Sequence, residues 1–398
     1  MTNKLRLNQT SRQLFLQHQA QTSDFPLMLE IDKAKGIFMF GSDGKIYMDL
    51  ISGIGVSNVG HRHPKVVKAI KDQVDKYMHL MVYGEYIQTP QTRLAVKLAE
   101  TLPIELEAVY FVNSGTEATE GALKLAKRYT RRSEIISCYN SYHGSTQGAL
   151  SVMGNEFFKQ AYRPLLPDIN FIQFGIIEDI EKISTSTACV IIETIQGEAG
   201  IRQASIEYFQ KLRKKCTEVG ALLILDEIQT GFGRTGKFWA FNHYDIVPDI
   251  LLTAKGMGGG MPIGAFIASQ EIFSVFKNDP VLGHITTFGG NPVCCAAALA
   301  TLEIIIEENL CSDIESKERI FHELLVHPII KEVRSKGLMI AVEFESFEIL
   351  KQIIDRCIEN GVIVDWFLHC DNSMRIAPPL IITEKQIREA CQIILNSI

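Results

Sequence analysis

The chain has 398 residues, 46% of them hydrophobic, which is enough for one large domain and a smaller one. Its 40 basic and 46 acidic residues leave a net charge of −6, so there is no basic field to attract nucleic acid or an anionic membrane. No apolar run approaches the roughly 20 residues that a membrane helix needs, and no membrane partner is expected.

Residues 1 to about 25 are polar and Gln-rich. They read either as a helix or arm lying on a partner surface or as a frayed terminus. They lack the unbroken apolar core of a signal peptide. Residues 27–50 alternate apolar and polar, with turns at Lys35-Gly36 and Ser42-Asp43-Gly44, as in a small antiparallel meander. The Gly-rich stretch 51–63, ISGIGVSNVGHRH, reads as an entry loop. His61 and His63 have no third ligand at metal spacing, so they read as a turn before a helix starting at Pro64. Helical periodicity covers 64–79 and 90–101. Tyr83 and Tyr86, between them, either face a site across a dimer interface or pack internally.

The stretch 108–132 reads as strand, tight turn and long Ala- and Lys-rich helix, with Ser114-Gly115-Thr116 at the turn. A helix N-terminus with a glycine suits phosphate, and the same residues also suit plain N-capping. In SYHGST, Tyr142 precedes His143-Gly144 and can stack on a flat heterocycle. The run 187–200, TACVIIETIQGEAG, is a buried strand ending in Glu193 and Glu198, which are either site residues or solvated loop acids. Two further apolar runs end in chemistry. The run 221–225 ends on Asp226-Glu227, and 249–253 ends on Ala254-Lys255. Runs of this kind suit buried strands of a parallel sheet, where ligands gather at the carboxyl ends. A desolvated lysine there can form an imine with a carbonyl cofactor, while a carboxylate keeps a pyridine nitrogen protonated. That is the layout of a pyridoxal phosphate site. The two residues alone would equally suit a loop lysine and a turn-capping aspartate.

GFGRTG at 231–236 fits G-x-G-x-x-G, but the aromatic GKFWAFNHY that follows does not suit the small-residue helix of a dinucleotide site. Pro292 suits the start of a long helix. From about 311 the pattern becomes α+β, with helices at 312–325 and 346–359 and strands near 337–344, 361–367 and 374–377. Thr383 to Gln386 is a capping box for the last helix. Arg375 ahead of Ala-Pro-Pro-Leu offers a planar fork for a carboxylate. The nine scattered cysteines include no C-x-x-C pair, which suits reduced thiols in a cytoplasmic protein without a metal site.

LLILDEIQTGFGRTG, followed by TAKGMGGGMPIGA, resembles the signature of the class III aminotransferases, a fold-type I pyridoxal phosphate family. The likeness runs from about Gly36 to about Thr383, and the overall pattern is most similar to acetylornithine, ornithine and omega-aminotransferases. It implies an α/β fold: a large cofactor domain (51–295) with a mostly parallel sheet, a smaller α+β domain (296–398), and an N-terminal segment (1–50) packing with the small domain. It implies a transaminase that moves an amino group from an amino acid or omega-amine to 2-oxoglutarate or pyruvate through a Lys255 aldimine. Asp226 is the partner of the ring nitrogen. The cofactor phosphate falls to Ser114, Gly115 and Thr116, with Thr287 reaching the phosphate of the neighbouring subunit of a homodimer. Tyr142 and Ile228 map to the two ring faces, Gln229 to the ring hydroxyl, and His143 and Glu193 to support of the ring or of Asp226. Arg375, Glu198 and Tyr83 map to the substrate. An aminomutase or racemase on the same fold is the alternative, ahead of a non-catalytic binding protein and an NAD-linked oxidoreductase.

Two positions depart from the family pattern. Ser145 stands where acetylornithine and ornithine enzymes usually carry a carboxylate-binding Arg, and Ile54 where ornithine-type enzymes place a Tyr. Arg375 is then the one clear carboxylate fork. The expected donor carries its reacting amine far from its carboxylate, or is an amine with an apolar body, and N-acetylornithine is not expected to be the best donor.

Overall fold

The computed structural model describes residues 9–82 and 84–398. After a short exposed helix, Ser11–His18, the strands β1 (Ile31–Lys35), β2 (Phe38–Gly41) and β3 (Ile46–Asp49) form an antiparallel meander. The expected helices follow as Pro64–Val74 and Thr89–Ala99.

The central sheet contains β4 (Ala108–Val112), β5 (Glu134–Cys138), β6 (Ile169–Ile172), β7 (Thr187–Glu193), β8 (Leu222–Asp226), β9 (Ile250–Thr253) and β10 (Gly264–Ala268). Its order is β4-β10-β9-β8-β7-β5-β6. The strands from β9 to β6 are parallel, and β10 runs antiparallel to both of its neighbours. Every residue of β7, β8 and β9 is buried, which is why they read as unbroken apolar runs. Alternate residues serve opposite faces. Ile191, Ile224 and Leu252 pack with helix Gly115–Thr130, whereas Val190, Leu223 and Leu251 share a core with helix Ile206–Val219. The first helix approaches so closely that a Cβ on Gly121 would lie 2.4 Å from the Phe266 ring.

Helix Pro292–Glu307 is apolar nearly all round and packs on Pro64–Val74 and Thr89–Ala99. Its residues through Ile305 belong to the large core, so the boundary expected at residue 295 falls inside this helix. Beyond it lie β11 (Glu332–Lys336), β12 (Met339–Glu343), β13 (Val362–Ile363), β14 (Asp365–Phe367) and β15 (Cys370–Ile376). The strands β11-β12-β15-β14 form an antiparallel sheet, while β13 joins the meander, parallel to β3. One strand was expected at 361–367. The structure divides it between two sheets. Ile37, Tyr47, Met48 and Leu50 share a core with Ile340, Ile353, Ile376 and Ile394, so the N-terminal meander packs with the C-terminal elements.

Arg234, inside GFGRTG, ties the two parts together. Its side chain is fully buried and donates to the carbonyls of Leu338 and Pro378 and to Asn58 Oδ1. Burial pulls its pKa down to about 9. The glycines around it serve a clamp between elements.

Candidate active site

The carboxyl ends of β7, β8 and β9 build the site. Their register sets Glu193 beside Asp226, and Asp226 beside Leu252. The chain leaving these ends lines a cavity of about 530 Å³. Ser114, Gly115, Thr116, Tyr142, His143, Glu193, Glu198, Asp226, Ile228, Gln229 and Lys255 all line it. Arg375 lines an adjoining crevice with Ile54, Gln229 and Phe367. Thr287 is exposed and does not line the cavity of its own chain. Tyr83 lies outside the described residues.

Asp226 is held from two sides. Its Oδ2 is 2.7 Å from His143 Nδ1, and its Oδ1 accepts from the Ile228 N–H at 3.0 Å. When Asp226 is a carboxylate, this geometry puts the imidazole proton on Nδ1. Glu193 accepts from the Tyr142 N–H at 2.9 Å and the Gly197 N–H at 2.8 Å, which fixes the backbone ahead of His143. Burial pushes Glu193 up to about 7.

Lys255 follows β9 with φ of 43°, an uncommon conformation for a residue with a side chain. Gly256 must be small, because a Cβ there would lie 2.4 Å from Asn58 Nδ2. Burial holds the Lys255 amine below its usual pKa, with Glu198 opposing the shift and Arg375 adding to it. Glu198 and Arg375 form a fork-to-fork pair, with both N–O distances 2.9 Å. Burial pushes Glu198 up, but Arg375 and Lys255 outweigh it and leave the group below its ordinary value.

The other end of the cavity is the start of helix Gly115–Thr130. Ser114 Oγ accepts from the Glu117 N–H at 3.3 Å, and among the described residues the N–H groups of Gly115 and Thr116 have no protein partner. Free N–H groups at the positive end of a helix suit a phosphate. Gly144 keeps the neighbouring loop close, since a Cβ there would lie 2.3 Å from Thr116 Oγ1. An anion cradle, a buried carboxylate and a desolvated amine around one cavity are the donor set that pyridoxal phosphate requires.

Residues 19–398 match the family model for aminotransferase class-III. The chain belongs to the class III aminotransferases. It is therefore a pyridoxal phosphate-dependent transaminase of fold type I. The chain is 39% identical over 382 residues to an acetylornithine aminotransferase of Caldanaerobacter subterraneus subsp. tengcongensis, covering 93% of this chain and 94% of that one. A Methanopyrus kandleri acetylornithine aminotransferase is 39% identical, with 94% of each chain covered. The crystal structure of ornithine aminotransferase from Toxoplasma gondii superposes with a TM-score of 0.91 at 29% identity, covering 98% of this chain and 96% of that one.

Sequence reasoning missed several groups around this aminotransferase's site. Residues 52–55 form a left-handed turn, with φ from 52° at Ser52 to 72° at Gly55. It includes Ile54, and a left-handed conformation costs a residue with a Cβ about 1–2 kcal/mol. Asp49 Oδ1 holds the turn by accepting from the N–H groups of Ile51 and Ser52, each at 2.9 Å, and Oδ2 meets His61 at 2.8 Å. Ser52 Oγ donates to the Ala377 carbonyl at 2.6 Å, two residues from Arg375. The run of two glycines, Gly53 and Gly55, was the only local signal of this turn. Glu227 is buried with no cation paired to it among the described residues, and accepts from the N–H groups of Ala240 and Phe241 and from Thr194 Oγ1. Burial raises it to about 7.

Glu193 and Glu227 thus hold protons more tightly folded than at their ordinary value of 4.5. The stability this contributes is complete below that value and is lost as pH rises through about 7. The melting temperature of the apoprotein should fall between about pH 5 and about pH 8, and Glu193→Gln should flatten part of that fall. A variant whose melting temperature keeps the full wild-type slope would mean that Glu193 does not titrate in this window.

Proposed function

We propose that Lys255 and Asp226 are the catalytic residues of this transaminase, and that it moves a terminal amino group to 2-oxoglutarate or pyruvate. The observation that carries the reading is the buried Glu198–Arg375 pair beside the cavity that holds Lys255. When bound, pyridoxal phosphate supplies a carbonyl for the amine and a ring that takes up the electron pair left at the reacting carbon. Ser114, Gly115 and Thr116 hold its phosphate. Asp226 keeps the proton on the pyridine nitrogen, and His143 holds Asp226 in place. Tyr142 and Ile228 flank the ring, Gln229 binds its hydroxyl, and Glu193 fixes the backbone that carries Tyr142. The Lys255 amine, with its pKa lowered, takes a proton from the reacting carbon and returns it on the far side of the transfer.

Glu198 and Arg375 then serve two substrates in turn. A donor without a carboxylate at this point meets a guanidinium already neutralised by Glu198. An oxo acid displaces Glu198 and takes the Arg375 fork. Ser145 is exposed, 3.2 Å from the Tyr142 hydroxyl, and supplies no cation there. Val56, Ile195, Met261 and Ile263 give the cavity an apolar wall. Both features favour a donor whose amine is remote from its carboxylate, or an amine with an apolar body. The relatives named for acetylornithine make N-acetylornithine the first compound to compare: its reacting amine is also terminal, and its one carboxylate would need a partner that Ser145 does not offer. A panel of terminal amines and amino acids, with 2-oxoglutarate and pyruvate as acceptors, should rank omega-amines that carry no carboxylate above N-acetylornithine. Arg375→Ala should raise the acceptor KM by at least about tenfold. N-acetylornithine as clearly the best donor, or an unchanged acceptor KM in the variant, would contradict this reading.

We also propose a homodimer with shared sites, working in the cytoplasm. Met78, Tyr86, Ile87, Ile285 and Phe288 are exposed apolar residues on neighbouring segments around Thr287, and Ile87 is 98% exposed. A face of this kind suits burial against a second copy. The nine free cysteines, seven of them buried, suit a reducing compartment. In the dimer, Thr287 reaches the cofactor phosphate of the partner. Mixing Lys255→Ala with Thr287→Glu, each inactive alone, should restore partial activity through hybrid dimers. Mixtures that stay inactive although subunits exchange would contradict a shared site.

A further inference from the structure

Arg375 faces a second carboxylate. Asp365 lies directly opposite it in the β14–β15 register, so both side chains leave the same face of the sheet. Asp365 Oδ1 is 3.1 Å from Arg375 Nε. Both atoms are buried, yet neither makes an aligned hydrogen bond. The orientation of the guanidinium comes from other contacts. Nη1 and Nη2 each donate to Glu198 at 2.9 Å, Nη2 also donates to the Trp366 carbonyl at 2.9 Å, and the Phe367 ring lies 4.8 Å away. Asp365 therefore acts on Arg375 through charge, and its geometry adds little.

The charges around Asp365 are few. Arg375 faces it from β15, Glu198 from the loop after β7, and Asp49 from β3, with His61 on the far side of Asp49. Lys255 and His369 face Glu198. Burial raises Asp365 to about 6; Glu198 and Asp49 add to the shift and Arg375 opposes it. One guanidinium thus stands against two carboxylates before an oxo acid arrives, and the oxo acid brings further negative charge.

We propose that Asp365 sets how tightly Arg375 grips the acceptor. Its negative charge beside Nε weakens the hold on an incoming carboxylate and lets the guanidinium pass between that carboxylate and Glu198. A buried bidentate pair is otherwise slow to give up its partner, and each turnover needs the exchange. The proposal rests on the reading that Arg375 receives the acceptor's carboxylate.

The test is the KM for 2-oxoglutarate in the holoenzyme, measured with a carboxylate-free amine as donor. Asp365→Asn keeps the shape and removes the charge, and should lower this KM about threefold to tenfold. The wild-type KM should fall as pH drops from about 7.5 to about 5.5, as Asp365 takes up its proton, and the variant should lose most of that dependence. A higher KM in Asp365→Asn would mean that Asp365 orients Arg375, and would overturn the proposal. An unchanged KM with the wild-type pH profile would overturn it too. The wild-type profile needs no variant, and a KM flat across the window contradicts the proposal even if Asp365→Asn fails to fold. Arg375→Gln separates the two readings. A raised KM in Arg375→Gln beside an unchanged one in Asp365→Asn removes the Asp365 assignment alone. An unchanged KM in Arg375→Gln removes the role of Arg375 and this proposal with it.

Discussion

The parallel register of β7, β8 and β9 is the constraint on which the site depends. It sets Glu193 beside Asp226 and brings the chain out of β9 into Lys255 at the same sheet edge. A one-residue slip in any of these strands would send every side chain to the opposite face. The fully buried alternation of Val190, Leu223 and Leu251 against Ile191, Ile224 and Leu252 forbids such a slip. The same packing that stabilises the sheet therefore fixes the distance between the acid and the amine. Free N–H groups at the start of helix Gly115–Thr130 complete the cavity, because that helix packs on the sheet face carrying Ile191, Ile224 and Leu252.

Charge buried in the protein interior is the second constraint. The terminal nitrogens of Arg234 donate to two carbonyls and an amide, Glu227 accepts from two N–H groups and a hydroxyl, and Arg375 pairs with Glu198. Most partners of the first two are backbone groups. The Arg375 pair differs, since it joins a loop of the large sheet to a strand of the small one and has a neighbouring carboxylate in Asp365. An ion pair between elements of two different sheets can exchange partners without breaking either sheet.

Much of this was legible in the sequence, and the limits have physical causes. Buried parallel strands announce themselves by composition, so the runs ending at Glu193, Asp226 and Lys255 stood out, as did the turn at Ser114 and the start of the long helix at Pro292. The small domain was harder to read. EVRSK, which forms β11, has a partly solvated polar pattern, and β15 begins at Cys370 with the polar residues Asp371 and Asn372. The break at Val364, which sends β13 and β14 to different sheets, depends on a partner strand more than 300 residues away in β3. Asp365 could not be singled out for the same reason. An aspartate after an apolar run is unremarkable until the cross-strand register sets it against Arg375. The left-handed turn at 52–55 rests on a nearby capping carboxylate, Asp49, and on a contact to Ala377 that is remote in sequence.

The most direct test of the site is chemical. Borohydride reduction of the yellow holoenzyme, followed by digestion and peptide mapping, should fix the cofactor on Lys255 and on no other lysine. Cofactor fixed on a different lysine, or protein that takes up no pyridoxal phosphate at all, would contradict the arrangement of Asp226 and Lys255 at neighbouring strand ends as the centre of the chemistry.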